Sequence, residues 1–223
     1  MTIEVDAVRT ALASVRERIR AAGGDDHVTI LAVTKAFGPE AIDAARACGC
    51  SAIGENYAQE LLAKRDACRG LEVHFIGQLQ TNKVRQLAGL VTVYETVDRA
   101  KLAREIAKRD PGARVMIQVD TTGEPGKGGC PLADLDALVD EIRRLDLDLV
   151  GLMTVGPTEG GPEAARAGVR AVRAAADRLG LAECSMGMTA DLEVAVQEGS
   201  TQVRVGSALF GARPVPVRED QGR

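Results

Sequence analysis

The sequence predicts an α/β fold in which eight βα units close into a single (β/α)8 TIM-type barrel, preceded by one extra helix. Three observations carry this. Eight short apolar runs alternate with segments whose apolar residues fall at helical spacing. The runs are apolar on both faces, as strands of a helix-covered parallel sheet are. The chain has 223 residues, close to the roughly 250 typical of one such barrel. An open doubly wound sheet is the alternative arrangement of the same units. No Gly/Ser/Pro-rich linker divides the chain, so one domain spanning 1–223 is expected, with the segment from Arg213 (RPVPVREDQGR) as a flexible tail.

The elements follow in order. Residues 4–22 read as the leading helix, because Val5, Val8, Leu12, Val15 and Ile19 recur every three or four residues. The first strand, 29–35 (TILAVTK), runs up to the Gly38-Pro39 break and ends on a lysine. Further strands are expected at 51–54, 72–77, 91–95, 113–119, 148–154, 183–186 and 202–206. Helical patterns fill the gaps, near 39–48, 57–68, 81–89, 98–109, 131–144, 162–179 and 190–198.

Composition excludes several classes. Hydrophobic residues make up 45% of the chain but aromatics only 2%, with no Trp. The core must be built from Val, Leu, Ile, Ala and Met, and a surface that stacks nucleic-acid bases is not available. A net charge of −4 without a basic stripe also argues against nucleic acid. The N-terminus lacks an apolar signal-peptide core, and no apolar run reaches the about 18 residues of a membrane span, so a cytoplasmic protein with no membrane partner is expected. The five cysteines (Cys48, Cys50, Cys68, Cys130 and Cys184) are odd in number and irregularly spaced, and His27 and His74 are the only histidines. This favours reduced thiols over a disulfide framework, and no metal site is expected.

In a barrel, function sits at the C-terminal ends of the strands. The residues expected there are Lys35, Glu55-Asn56-Tyr57, Gln78, Asp120, Thr154, Gly187-Met188-Thr189 and Gly206-Ser207. Lys35 alternates with Leu31 and Val33, so an inward-facing strand would aim it into the barrel mouth. A desolvated lysine there can form a Schiff base with a carbonyl, although by position alone a lysine that reaches solvent is the more ordinary reading. The segments SMGMTAD (Ser185–Asp191) and VRVGSALFGAR (Val203–Arg213) join the last two strands to helices. Thr189 is a candidate N-cap, and Gly206-Ser207 opens a helix where an anion is stabilised. An amine facing two phosphate-friendly loops fits a phosphorylated aldehyde. Pyridoxal 5′-phosphate (PLP) is one such cofactor, and a sugar phosphate bound by a Schiff-base aldolase is another.

The motifs LAVTK, IGENYAQE, HFIGQLQTNK, GEPGKGGC, GLMTVG and SMGMTADLEVAVQEGSTQVRVGSALFGAR run in order over about residues 5–213. This set closely resembles the pyridoxal phosphate homeostasis protein family, single-domain relatives of the alanine racemase N-terminal barrel. The resemblance implies that Lys35 carries PLP as an internal aldimine. It implies that Thr189, Gly206 and Ser207 hold the phosphate, that Arg204 faces the pyridine nitrogen and that Asn56 lies beside the ring. His74, Gln78, Met153 and Ser185 would line the pocket, with a plain core role equally open for His74. The chain departs from the family pattern at GLMTVGP and over 158–172, which puts the shape of one rim loop in doubt.

The implied function is a non-catalytic carrier or buffer of PLP in vitamin B6 and amino-acid homeostasis, with apo PLP-dependent enzymes as candidate recipients. The alternative is a weak PLP-dependent amino-acid racemase. Arg204 can only donate, so it cannot hold a protonated pyridine nitrogen, and a strong electron sink is not expected. The racemases resembled here supply a tyrosine base from a further β domain, and no such domain is expected after the eighth strand. Tyr57 and Tyr94 are the only tyrosines. No apolar stripe is left over, so a monomer is expected.

Overall fold

A computed structural model describes residues 3–212; the tail expected from Arg213 lies outside the described residues. The strands are β1 (Thr29–Val33), β2 (Ala52–Glu55), β3 (Glu72–Phe75), β4 (Val93–Val97), β5 (Arg114–Asp120), the two-residue β6 (Cys130–Pro131), β7 (Asp148–Thr154), β8 (Glu183–Ser185) and β9 (Gln202–Val205). All pair in parallel. Omitting β6, each pairs with the next in sequence, and β9 returns to β1, so the eight form a closed barrel rather than an open sheet. The short β6 is appended to the end of β5, with Cys130 beside Val119.

The helices are α1 (Val5–Ala21), α2 (Pro39–Ala47), α3 (Ala58–Lys64), α4 (Val84–Leu87), α5 (Ala100–Arg109), α6 (Leu135–Ile142), α7 (Arg166–Leu179), α8 (Leu192–Gln197) and α9 (Ser207–Phe210). Local chemistry sets several ends. Pro39 opens α2, where its missing N–H costs nothing. Gly180 closes α7 in the left-handed conformation, with φ 70. The extra helix α1 buries Val8, Val15 and Ile19 and packs against α2, α8 and α9. No helix among the described residues is long and apolar enough to cross a membrane.

Several boundaries differ from the expectation. β1 ends at Val33, so Lys35 lies in the following turn rather than on the strand. Thr34 N–H still bonds Gly54 O at 3.0 Å, but the chain then turns through Ala36 at φ 65. β2 takes in Glu55 and β4 continues to Val97, because both acids on these strands, Glu55 and Glu95, are fully buried with partners. The pattern expected over 81–89 is a 3-10 turn and a single α-turn, and the helix expected over 57–68 stops at Lys64. The helix start expected at Gly206-Ser207 is the single turn α9, and the short β6 falls where no strand was expected.

The main apolar core lies between the strands and the helices, and takes Ile30 and Ala32 from β1. Inside the barrel Val93, Met116 and Met153 form a second, small cluster. Beside it runs a polar network built on Glu95 of β4. Glu95 Oε1 meets His74 Nδ1 at 2.5 Å and accepts from Gln202 Nε2 at 2.7 Å, while Oε2 accepts from Ser185 Oγ at 2.6 Å. Four strands are thereby tied across the lumen. Burial works to raise the Glu95 carboxyl. The bond and charge of His74, the charge of Arg204 and the Ser185 bond outweigh it and hold the group below its ordinary value.

A carboxyl depressed in the folded state stabilises the fold above its unfolded pKa, and that stability is lost as pH falls through the folded value. Glu95→Gln keeps the shape but removes the charge that His74 and Arg204 face, and is expected to cost about 3 kcal/mol at pH 7. The gap between variant and wild type should narrow once pH drops below about 4.3. Urea denaturation at pH 7 and pH 3.5 measures this, and a gap that does not change with pH contradicts it.

Candidate functional site

A cavity of about 390 Å³ opens at the C-terminal end of the barrel, within the range of roughly 300–1,000 Å³ usual for small-molecule sites. Its polar wall comes from four places in the chain. Lys35 enters from the turn after β1, Asn56 from the end of β2, Thr189 from the β8–α8 loop, and Arg204, Gly206 and Ser207 from β9 and the start of α9. Val33 and Lys35 both face the cavity, so the inward alternation of β1 carries through into the turn. Phe37, Ile76, Val155 and Met188 supply apolar surface, and Phe37 rests on Phe210 with ring centroids 5.4 Å apart.

The seam between the first and last strands does much of the assembly. In the β1–β9 register Leu31 stands beside Arg204 and Ala32 beside Val205. The next residues along are Val33 and Gly206, and Lys35, two residues beyond Val33, lines the same cavity as Gly206 and Ser207. A Cβ on Gly206 would stand 3.0 Å from Val33 O, so the small residue lets the two chain ends approach.

Across the cavity, Ser207 Oγ lies 3.4 Å from Thr189 Oγ1. Ser207 is the first residue of α9, where backbone N–H groups lack helical acceptors. The Thr189 loop is braced from outside: Arg18 of α1 donates to Thr189 O at 2.8 Å and grips both oxygens of Glu193 at 2.6 and 2.9 Å. Thr189 is not the cap of α8. That position belongs to Asp191, whose Oδ1 accepts from Met188 N–H at 2.7 Å and so shapes the loop. At the opposite wall, Asn56 Oδ1 is buried with no hydrogen-bond partner. Its backbone is packed against Gly77, where a Cβ would stand 1.9 Å from Asn56 O.

Arg204 is 4% exposed. Its guanidinium donates to Thr154 O at 2.6 Å, Ser185 O at 2.5 Å and Ser185 Oγ at 2.9 Å. Burial pulls it below the ordinary arginine value, against the charges of Glu95 and Asp191; an arginine nonetheless stays protonated. Ser185 is thus not a wall residue: it lies beneath Arg204 and links it to Glu95.

The other expected pocket residues are also placed elsewhere. Met153 belongs to the lumen cluster. Gln78 lines a neighbouring cavity of about 400 Å³ that shares Asn56. His74 lines a cavity at the N-terminal end of the barrel, with Nε2 buried, unpartnered and 3.6 Å from Glu72. Sequence reasoning missed Glu95 and Arg18. An acid inside the apolar run VTVYETV was a readable signal for Glu95; Arg18 had none, since it looks like any arginine on a solvated helix face.

Comparison with known proteins agrees with this architecture. The alanine racemase N-terminal domain family matches residues 3–214. The pyridoxal phosphate homeostasis protein of Aquifex aeolicus is 40% identical over 220 residues, covering 91% of this chain and 96% of its own. That of Pseudomonas aeruginosa is 39% identical, covering 96% and 97%. Among solved structures, PipY of Synechococcus elongatus with PLP bound superposes with a TM-score of 0.82 at 30% identity, covering 92% of this chain and all of that one. Alanine racemase of Clostridium difficile shares the barrel, with a TM-score of 0.76 at 18% identity over 96% of this chain and 59% of the racemase. With its closed barrel, its rim cavity and these relatives, the chain belongs to the pyridoxal phosphate homeostasis protein family, built on the alanine racemase N-terminal domain.

Proposed function

We propose that this protein binds PLP at the barrel rim, holds it covalently through Lys35, and acts in intracellular PLP and amino-acid homeostasis as a carrier rather than an enzyme. The observation that carries this is the meeting, in one cavity, of an amine, two hydroxyls 3.4 Å apart at a helix start, and a buried guanidinium. The relatives' names and the PLP-bound PipY support it.

The residues present fit the group. Thr189, Ser207 and the first N–H groups of α9 can receive a phosphate, the apolar side chains can sandwich a ring, and the orphaned Asn56 Oδ1 offers an acceptor. When bound, PLP supplies an aldehyde that condenses with amines and a ring that can withdraw electrons. Lys35 would provide the nucleophile. Arg204, pinned by Thr154 and Ser185, would present a donor to the ring nitrogen and leave it unprotonated, which weakens the electron sink.

A racemase needs a second acid–base group on the other face of the ring. Among the described residues, no tyrosine, histidine, cysteine or carboxylate side chain lines the cavity. Tyr94 is buried with its hydroxyl on Asp110 at 2.9 Å, and Tyr57 is 57% exposed and off the wall. This favours binding and release over turnover, with apo PLP-dependent enzymes as recipients. We place the protein in the cytoplasm as a single-domain monomer, in keeping with its five free cysteines.

Protein reconstituted with PLP should show the visible absorption of the lysine-bound aldehyde, and Lys35→Ala should abolish it; a wild-type protein that stays colourless overturns the proposal. Thr189→Ala and Ser207→Ala should each weaken retention on dialysis by roughly tenfold, the scale of one hydrogen bond to a charged group, while the visible band still forms. Undiminished retention in both would move the phosphate elsewhere. Incubation with single L-amino acids, followed by chiral chromatography, separates carrier from racemase: turnover near the enzyme median of about 10 per second would favour the racemase.

A further inference from the structure

The turn that presents Lys35 is gripped by three side chains that the proposed function does not use. Lys64, the last residue of α3, is 5% exposed. Its ammonium group has three acceptors: Thr34 O at 3.1 Å, Phe37 O at 2.9 Å and Glu55 Oε1 at 2.6 Å. An ammonium group has three hydrogens, so its donors are all used. Thr34 and Phe37 stand on either side of Lys35-Ala36. Glu55 Oε1 also accepts from Thr34 Oγ1 at 2.6 Å. One helical turn before Lys64, Glu60 Oε2 accepts from Ala36 N–H at 2.9 Å. Ala36 is the only non-glycine residue with positive φ among the described residues, at φ 65, a conformation L side chains adopt rarely. Two carbonyls, one hydroxyl and one amide of a four-residue turn are therefore held by α3 and the end of β2.

Stability alone is a weak reason for this arrangement. A buried ammonium–carboxylate pair seldom outperforms an apolar pair of similar volume. Its bonds instead fall on the backbone either side of one amine, the one that faces the cavity.

We propose that Lys64, Glu55 and Glu60 are positioning residues for Lys35: they lock the Thr34–Phe37 turn so that its amine meets a bound aldehyde in a single orientation. The inference rests on the reading of Lys35 given above. In the step concerned the neutral amine adds to the aldehyde carbon, a C=N bond replaces the C=O bond, and the amine's two hydrogens leave with the aldehyde oxygen as water. No oxidant or reductant is needed. The clamp acts on this step and not on phosphate binding, because none of the three side chains lines the cavity.

The test uses Lys64→Met, Lys64→Arg and Glu60→Ala. Glu60 is partly exposed, so Glu60→Ala serves if Lys64→Met does not fold. Stopped-flow capture of PLP should slow by about tenfold in Lys64→Met and about threefold in Glu60→Ala, as for a misoriented nucleophile. Lys64→Arg should recover part of the rate. Binding of pyridoxine 5′-phosphate, which carries an alcohol in place of the aldehyde, should stay within about twofold of wild type, since its phosphate contacts are untouched. A second readout needs no cofactor: acetylation of Lys35 by acetic anhydride, mapped by mass spectrometry relative to the exposed Lys101, should change in the same direction in Lys64→Met and Glu60→Ala. Unchanged capture in a folded variant, or capture and alcohol binding that weaken in parallel, overturns the clamp. If wild type captures no PLP, the proposed function fails on its own account, and the Lys35 acetylation pattern still decides whether the clamp exists.

Discussion

The barrel turns on one buried carboxylate. Glu95 sits inside the lumen, where an unpaired charge would be ruinous, and every group around it is arranged to prevent that. His74, Gln202 and Ser185 come to it from three other strands, and Ser185 passes the contact on to Arg204. The cation and the anion are therefore joined through a hydroxyl rather than in direct contact. This leaves the guanidinium near the cavity floor with one face satisfied and the other available. Without Glu95, Arg204 would be a buried cation whose nearest acceptors are only carbonyls and a serine.

The second constraint is closure. A parallel strand needs neighbours on both sides, and the barrel satisfies that need by returning β9 to β1. The same seam brings residue 35 and residues 204–207 together, which no local interaction could do. The remaining pieces are attached to this seam from outside. The N-terminal helix reaches across with Arg18 to steady the Thr189 loop, and α3 steadies the Lys35 turn with Glu60 and Lys64. The site is thus held rigid on two sides by helices that do not line it.

The cavity wall combines an amine, two hydroxyls and a guanidinium with apolar side chains and an amide. On the proposed reading, Arg204 would donate where a stronger electron sink would want a carboxylate. On the same proposed reading the site would hold an aldehyde through Lys35 and let it go, since forming and breaking that bond needs only the amine and water.

Much of this protein could be read directly from its residues. The alternation of apolar runs and helical patterns identified eight βα units, because burial imposes a period of 2 or 3.6 on any amphipathic element. The motifs identified the family and pointed to Lys35, Thr189, Arg204, Gly206 and Ser207, which the fold gathers in one cavity. What sequence alone could not decide was set by contacts between residues far apart in the chain. Glu55 and Glu95 look like strand-ending acids, yet both are interior because partners on other elements neutralise them. Ser185 lies under Arg204 rather than on the wall, and Lys35 rides a turn whose shape depends on Lys64 and Glu60. Local periodicity specifies what each segment is; only packing in three dimensions decides which buried charges meet, because their partners are brought to them by closure of the barrel.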